Sequence, residues 1–248
     1  MDVTQSRYAA ELLPEIVGHG SSRLRSRDLL EIAVGFVLIL LSLWSDPLGQ
    51  LLLGLAALLW IVLVTVQWRP DPVELGLCPS RTRQSLWIVG VAAIAAMAGV
   101  WASLRMNTFH AVFRNFAVEW GFLIYIVWAL IQQFVLQDFF LARLLRILPS
   151  RSIAVIVAGT LFAVAHVPNP LLMIATLIWG IVSCALFLRY RNLYVLGLAH
   201  AILGMCLAVT IPNAVHHQMR VGIGYLRWHG PVQRREISRF AATVAPHR

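Results

Sequence analysis

The sequence predicts an all-α protein: a polytopic bundle of transmembrane helices, about seven or eight spans, around a polar cavity at membrane depth. Three observations predict it. Of the 248 residues, 59% are hydrophobic, and the mean hydropathy is +0.76. Charged residues make up only 12%, about half of what a soluble domain carries. The apolar residues also fall into runs near the length of a bilayer-crossing helix, about 20 residues, and polar side chains recur inside three of those runs.

Residues 1–27 are polar, with Arg23, Arg25 and Arg27 just before the first run. No small-residue cleavage site follows convincingly, so this reads as an uncleaved cytoplasmic tail. The first run, Leu29 to Trp44, is broken by Ser45-Asp46-Pro47. The second, Leu51 to Trp68, follows so closely that the two should form a tight hairpin, with Trp44 and Trp68 at the interface. A polar loop with Pro70, Pro72 and Pro79 leads to the third run, Ser85 to Leu104. Its alanines and Gly99 predict a helix packed centrally or closely against a neighbour.

The segment from Arg105 to Glu119 reads as an amphipathic connector with Phe109, Phe113 and Phe116. The fourth run, Trp120 to Leu148, exceeds a minimal span, which predicts tilt or a cytoplasmic extension. The fifth, Ser152 to Val167, ends in the rigid turn Pro168-Asn169-Pro170, where Asn169 reads as a turn residue. The sixth, Leu171 to Leu188, stops at Arg189-Tyr190-Arg191-Asn192, and the seventh, Leu193 to Ile211, stops at Pro212-Asn213. The expected organisation is a cytoplasmic tail over 1–27, a transmembrane bundle over 28–212 and a basic C-terminal tail over 213–248.

Net charge is +9, and every basic residue is arginine. The arginines cluster between apolar runs, which fits topology and anionic lipid headgroups better than nucleic acid. No basic-aromatic recognition module is present, so nucleic acid is excluded as a partner. With the N-terminus cytoplasmic, the loops at 69–84, 143–151 and 189–192 are inside and carry two or three arginines each, while 45–50 and 168–170 carry none. Arg105, Arg114 and the arginine-bearing C-terminal tail run against this pattern. Either one run is misjudged or the tail folds back. The expected location is a cell (plasma) membrane, with the lipid bilayer as a partner. Cys78, Cys184 and Cys206 are scattered and show no CxxC spacing, against a disulfide framework or a thiolate metal site.

Polar groups at membrane depth are costly, and by default they mark function. His166 and His200 lie on separate runs. An imidazole there can hold a water, ligate a metal or donate to a developing oxyanion. Gln132 and Gln133 are adjacent and so point about 100° apart on a helix. Gln137 follows Gln133 by one turn, on the same face. Asp138 stands out as the carboxylate of the fourth apolar run. Arg143 and Arg146 lie one to two turns beyond it, so an interface ion pair competes with an acid or base role. Asp138 lies about 9 Å along the axis from Gln132, too far to share one water with it on a regular helix.

The order and spacing of these residues resemble the CAAX prenyl endopeptidase and bacteriocin-processing (CPBP, or Abi) family of intramembrane proteases, over about residues 120–210. The family's Glu-Glu-x-x-x-Arg motif is matched by Gln132-Gln133-Phe134-Val135-Leu136-Gln137. Its Phe-x-x-x-His motif is intact as Phe162 to His166. Its His-x-x-x-Asn motif is matched by His200 to Gly204. The resemblance implies a helical bundle with an intramembrane cavity and peptides tethered to the membrane, prenylated CAAX peptides among them, as substrates. It implies that the residue at Gln132 activates water and that His166 and His200 hold that water or stabilise the oxyanion. It also implies a possible divalent metal, zinc for example, on His166 and His200. The departures are Gln for Glu at 132 and 133, Gln137 for the arginine and Gly204 for the asparagine. A shifted register would put Asp138 on the second glutamate and Arg143 one residue past the arginine. The separation of Gln132 from His166 favours the first register.

The expected function is an intramembrane endopeptidase for membrane-tethered or CAAX-like peptides, weakened by Gln for Glu, with Asp138 as a substitute carboxylate. The alternatives are a catalytically inactive pseudoprotease that binds hydrophobic or lipidated peptides, and a small transporter.

Overall fold

The computed structural model describes residues 24–68, 70–78, 82–110 and 117–230, and its regular structure is helical, with no strand among those residues. Helix α1 covers residues 24–43. It is followed by α2 (Pro47–Val66), α3 (Thr82–Arg105) and α4 (Ala117–Phe134). A π-helical segment, Val135–Leu141, continues α4 into α5 (Ala142–Ile147). Then come α6 (Arg151–Val164), α7 (Pro170–Tyr190) and α8 (Leu193–Thr210). The short α9 (Asn213–His216), a 3-10 turn (His217–Met219) and α10 (Gly222–Leu226) close the described chain. Most of the N-terminal tail, Phe113 and Phe116 of the connector, and the tail beyond residue 230 lie outside the described residues.

All the expected apolar runs are helical, but five helices are long and apolar enough to cross a membrane: Pro47–Val66, Thr82–Arg105, Gly121–Ile147, Pro170–Tyr190 and Leu193–Thr210. The other two runs fall short for visible reasons. Helix α1 carries Arg25, Arg27, Asp28 and Glu31 in its first turns. Helix α6 has 14 residues, about 21 Å of rise, so it ends within the thickness of a bilayer.

Helix ends at membrane depth need internal partners for their free N–H groups. Asp46 accepts from Gly49 N at 2.9 Å, Ser150 from Ile153 N at 3.2 Å, Asn169 from Leu172 N at 3.2 Å and Asn192 from Val195 N at 3.1 Å. Pro47 and Pro170 open α2 and α7, where a missing N–H costs nothing. Arg191 ends α7 in the left-handed region, at φ 46°.

Helix α8 is central, with α3 and α4 packed against it, while α6 and α7 form a close pair. A Cβ added to Gly180 would lie 3.0 Å from the Gly159 Cα, so small residues let those two backbones meet. Helix α3 is not central. Its Gly99 faces Cys206 of α8, but Trp87, Val91, Ile94, Met97 and Trp101 stay exposed. Its small residues make one face for one neighbour.

Helix α1 is fixed to the π segment and α5. Gly35 sits over the Phe139 ring, and Phe36 meets Phe140 edge to face at 5.9 Å. At one end of this contact, Glu31 receives Arg143 Nε and Arg27 Nε, each at 2.7 Å, and Asp28 pairs with Arg146 at 2.7 Å. Arg143 also donates to the Phe139 carbonyl at 3.2 Å and lies over that ring. The expected pairing of Asp138 with Arg143 therefore does not form, because α1 brings Glu31 to the guanidinium instead.

Both members of the Glu31–Arg143 pair are buried, whereas the Arg27 side chain is 47% exposed. Breaking a buried pair strands a charge and costs about 3 to 5 kcal/mol; an exposed partner contributes about 1 kcal/mol or less. Arg143→Met is thus expected to destabilise the bundle by about 3 kcal/mol and Arg27→Met by under about 1 kcal/mol, read from unfolding curves in mixed micelles. Equal effects would contradict this assignment.

Candidate functional site

A cavity of about 940 Å³ lies between α2 and α3 on one side and α4, α7 and α8 on the other. Most of its wall is apolar. Leu51, Leu55, Val91, Trp128 and Ile178 line it and are exposed on the outer surface as well. The mouth is therefore continuous with the surface that would face lipid. The polar lining includes Tyr125 and Gln132 from α4, His166 from the end of α6, Thr176 from α7 and His200 from α8.

The adjacent amides Gln132 and Gln133 are divided between cavity and protein, as their angular separation requires. Gln132 lines the cavity, while Gln133 is fully buried. The buried amide belongs to a chain of hydrogen bonds with a fixed direction. Ser183 donates its hydroxyl proton to the Gly180 carbonyl at 3.3 Å. Gln137 Nε2 must then donate to Ser183 Oγ, at 3.2 Å, and it donates also to Gln133 Oε1 at 3.2 Å. Gln133 Nε2 is left to face His200 Nδ1 at 3.2 Å. His200 Nδ1 is therefore an acceptor, and the ring proton sits on Nε2.

His166 is held in the opposite sense. Its Nδ1 lies 2.7 Å from the Phe162 carbonyl, which only accepts, so Nδ1 carries the proton and Nε2 keeps its lone pair. The Phe162 ring stands between the two imidazoles, edge-on at 5.0 Å from His166 and 5.8 Å from His200. The site thus offers one imidazole acceptor and one imidazole donor, with the Gln132 amide on the same wall system.

Asp138 is placed elsewhere. It is 4% exposed, lies on the π segment outside the cavity lining, and its Oδ2 has no hydrogen-bond partner among the described residues. Gln137 is in the amide chain, not the cavity, and Arg143 is spent on Glu31. Gly204 lies against the Tyr125 hydroxyl.

A catalytic zinc takes three protein ligands, each presenting a lone pair or a charge. Among the described residues no three His, Cys, Asp or Glu side chains are gathered for a metal. His200 turns an N–H, not a lone pair, toward the open side of its ring. The residues present do not fit such an ion.

The start of the C-terminal tail folds back over the α6–α7 turn. Asn169 donates to the His216 carbonyl at 2.9 Å and the Arg220 carbonyl at 3.0 Å, and Gly222 N donates to the Val167 carbonyl at 2.9 Å. Asn169 is more than a turn residue. Met219 and Val221 thereby become part of the cavity wall. His217, Gln218 and Met219 all lie in the left-handed region, at φ 48°, 57° and 58°, where a side chain costs about 1 to 2 kcal/mol per residue. His216 holds this turn: its Nδ1 accepts from Met219 N at 2.9 Å, and its Nε2 donates to the Ile211 carbonyl at 2.7 Å. Gly222, at φ 56°, presses on the Leu43 carbonyl, where a Cβ would collide.

Fold and site together define a helical membrane protein with a histidine-bearing cavity open toward lipid. Residues 113–206 match the family model described as type II CAAX prenyl endopeptidase, Rce1-like. That segment is similar to Rce1-like domains, consistent with the CPBP family. It contains α4 through most of α8, and so both histidines and all three glutamines. Helices α1 and α2 and most of the opposite cavity wall precede it. Comparison with curated proteins and with solved structures finds no match.

Sequence reasoning missed Glu31, Ser183 and Tyr125. Glu31 was findable as an acid inside the first apolar run. Ser183 lies on α7 at no motif position, and Tyr125 lies two turns before Gln132 without any spacing signal.

Two outcomes follow from this geometry. Gln133→Leu strands His200 Nδ1 and Gln137, a loss of about 1 to 3 kcal/mol. Gln132→Leu strands no buried partner and should change unfolding free energy by under about 0.5 kcal/mol. Burial keeps the His216 imidazole below the usual histidine range. The docked tail is thus fully stable above the unfolded value of about 6.5 and weakens as pH falls below it. Amide exchange over residues 213–226 should accelerate on acidification, and His216→Gln should remove that dependence.

Proposed function

We propose that this protein is an Rce1-like intramembrane endopeptidase in form whose hydrolytic step is strongly weakened, so that it holds membrane-tethered or lipid-modified peptides more than it cuts them. One observation carries this reading: the described residues lining the cavity include two histidines and two amides, Gln50 and Gln132, but no carboxylate. The mouth continuous with the lipid-facing surface suits a ligand that arrives within the membrane, its apolar part along α2, α3 and α7. A mostly apolar wall does not suit a path for polar solutes, which disfavours transport.

The reaction class needs a base to take a proton from water and a donor for the carbonyl oxygen. His200 Nε2–H supplies the donor. In the Rce1-like motif the position of Gln132 belongs to a glutamate, and an amide does not take up that proton. His166 Nε2 is the remaining base. Its use would place an unpaired imidazolium in an apolar cavity, which is expensive. Slow hydrolysis through His166 is the second reading, favoured by that free lone pair.

The test is a prenylated CAAX peptide presented to the full chain in nanodiscs. The unaltered protein should cross-link a photoreactive form of the peptide, with little product. Gln132→Glu should raise cleavage by about 10² to 10⁴, and His166→Ala should abolish whatever cleavage the unaltered chain shows. Rapid cleavage by the unaltered protein would overturn the weakened step. Failure to cross-link would overturn peptide binding.

A further inference from the structure

Tyr125 projects from α4 into the cavity wall. A Cβ built on Gly204 would fall on its hydroxyl oxygen, with the ring carbons within 3.1 Å. The phenol therefore occupies the space that any side chain at position 204 would enter. No hydrogen bond joins this hydroxyl to another described residue. Gly204 lies one turn beyond His200 on the same face of α8, a rise of about 6 Å. The Tyr125 O–H and the His200 Nε2–H thus stand on one wall, in a cavity with little other polarity.

We infer that Tyr125 is a ligand-binding residue: its hydroxyl donates to a backbone carbonyl of the bound peptide, in space that Gly204 leaves open. The Tyr125 O–H and the His200 Nε2–H are two donors on this wall, and a carbonyl is a group that can accept from them. A peptide carbonyl entering an apolar cavity must find a donor or lose a hydrogen bond. The absence of a side chain at 204 is then not merely a lost motif residue. It is the condition for a different donor, carried by a different helix. A tyrosine hydroxyl also brings a ring that packs against the apolar part of the ligand, which a short amide would not.

This rests on the peptide-binding reading above, and the experiment separates the two. The full chain in phosphatidylcholine nanodiscs is titrated with two labelled prenyl-cysteine peptides. One has the ordinary amide after the prenylated cysteine; in the other a trans-alkene of the same shape replaces that amide. The unaltered protein should bind the amide about fivefold to tenfold more tightly, the worth of one net hydrogen bond. Tyr125→Phe should bind both peptides as weakly as the alkene, with its melting temperature in detergent unchanged within error. Gly204→Ala should give the same loss with the phenol intact, because its Cβ displaces the hydroxyl. If Tyr125→Phe keeps the amide preference, or weakens both peptides equally, the carbonyl contact is wrong while peptide binding stands. If the unaltered protein binds neither peptide, both readings fall.

Discussion

The carbonyl of Gly180 sets the direction of the polar site. In water a serine hydroxyl next to a glutamine would exchange partners freely. At membrane depth there is no solvent to exchange with, so a buried donor turns to an acceptor among its neighbours, even though Gln137 Oε1 is left without a partner among the described residues. Because Ser183 spends its proton on Gly180, Gln137 must turn its NH2 group to Ser183. The choice propagates through Gln133 to Nδ1 of His200. A carboxylate at 133 would reverse the last step, since it could only accept, and His200 would then turn a lone pair to the cavity. Glutamine for glutamate thus changes more than charge. It fixes the histidine in the donor tautomer and removes it as a base or metal ligand in one substitution.

The rest of the bundle serves this arrangement. The ion cluster of Glu31, Arg143, Asp28 and Arg146 ties α1 to α5 and lets α1 stand as part of the cavity wall. The short α6 ends within the membrane's thickness, which brings His166 to the site rather than to a headgroup region. Its turn is then covered by the returning tail, whose left-handed residues are held by Asn169 and His216. Strain of this kind persists only where the surroundings over-determine it. Here it places Met219 and Val221 against the cavity.

Much of this was legible in the sequence, for physical reasons. Long apolar runs declare helices because backbone groups in lipid have no other outlet. Polar residues inside them declare a site because they are costly there, and His166, His200 and Gln132 do meet at one cavity. What was not legible depends on partners far along the chain or on backbone acceptors. Arg143 finds Glu31 across 112 positions, so its nearer neighbour Asp138 was a misleading partner. The π segment has no signature in hydrophobic spacing. Asn169 bonds two tail carbonyls, which any residue could supply. Gly204 was readable as a missing side chain, but not as room for Tyr125, because that contact joins two helices packed only in the fold.

The two histidines offer opposite faces to one cavity. Nitrogen-15 solid-state NMR of the unaltered protein, labelled at histidine and reconstituted in bilayers, reads this directly. The predicted result is two neutral rings in the site, His166 with its proton on Nδ1 and His200 with its proton on Nε2. Finding both protons on Nδ1, so that two lone pairs face the cavity, would contradict the account.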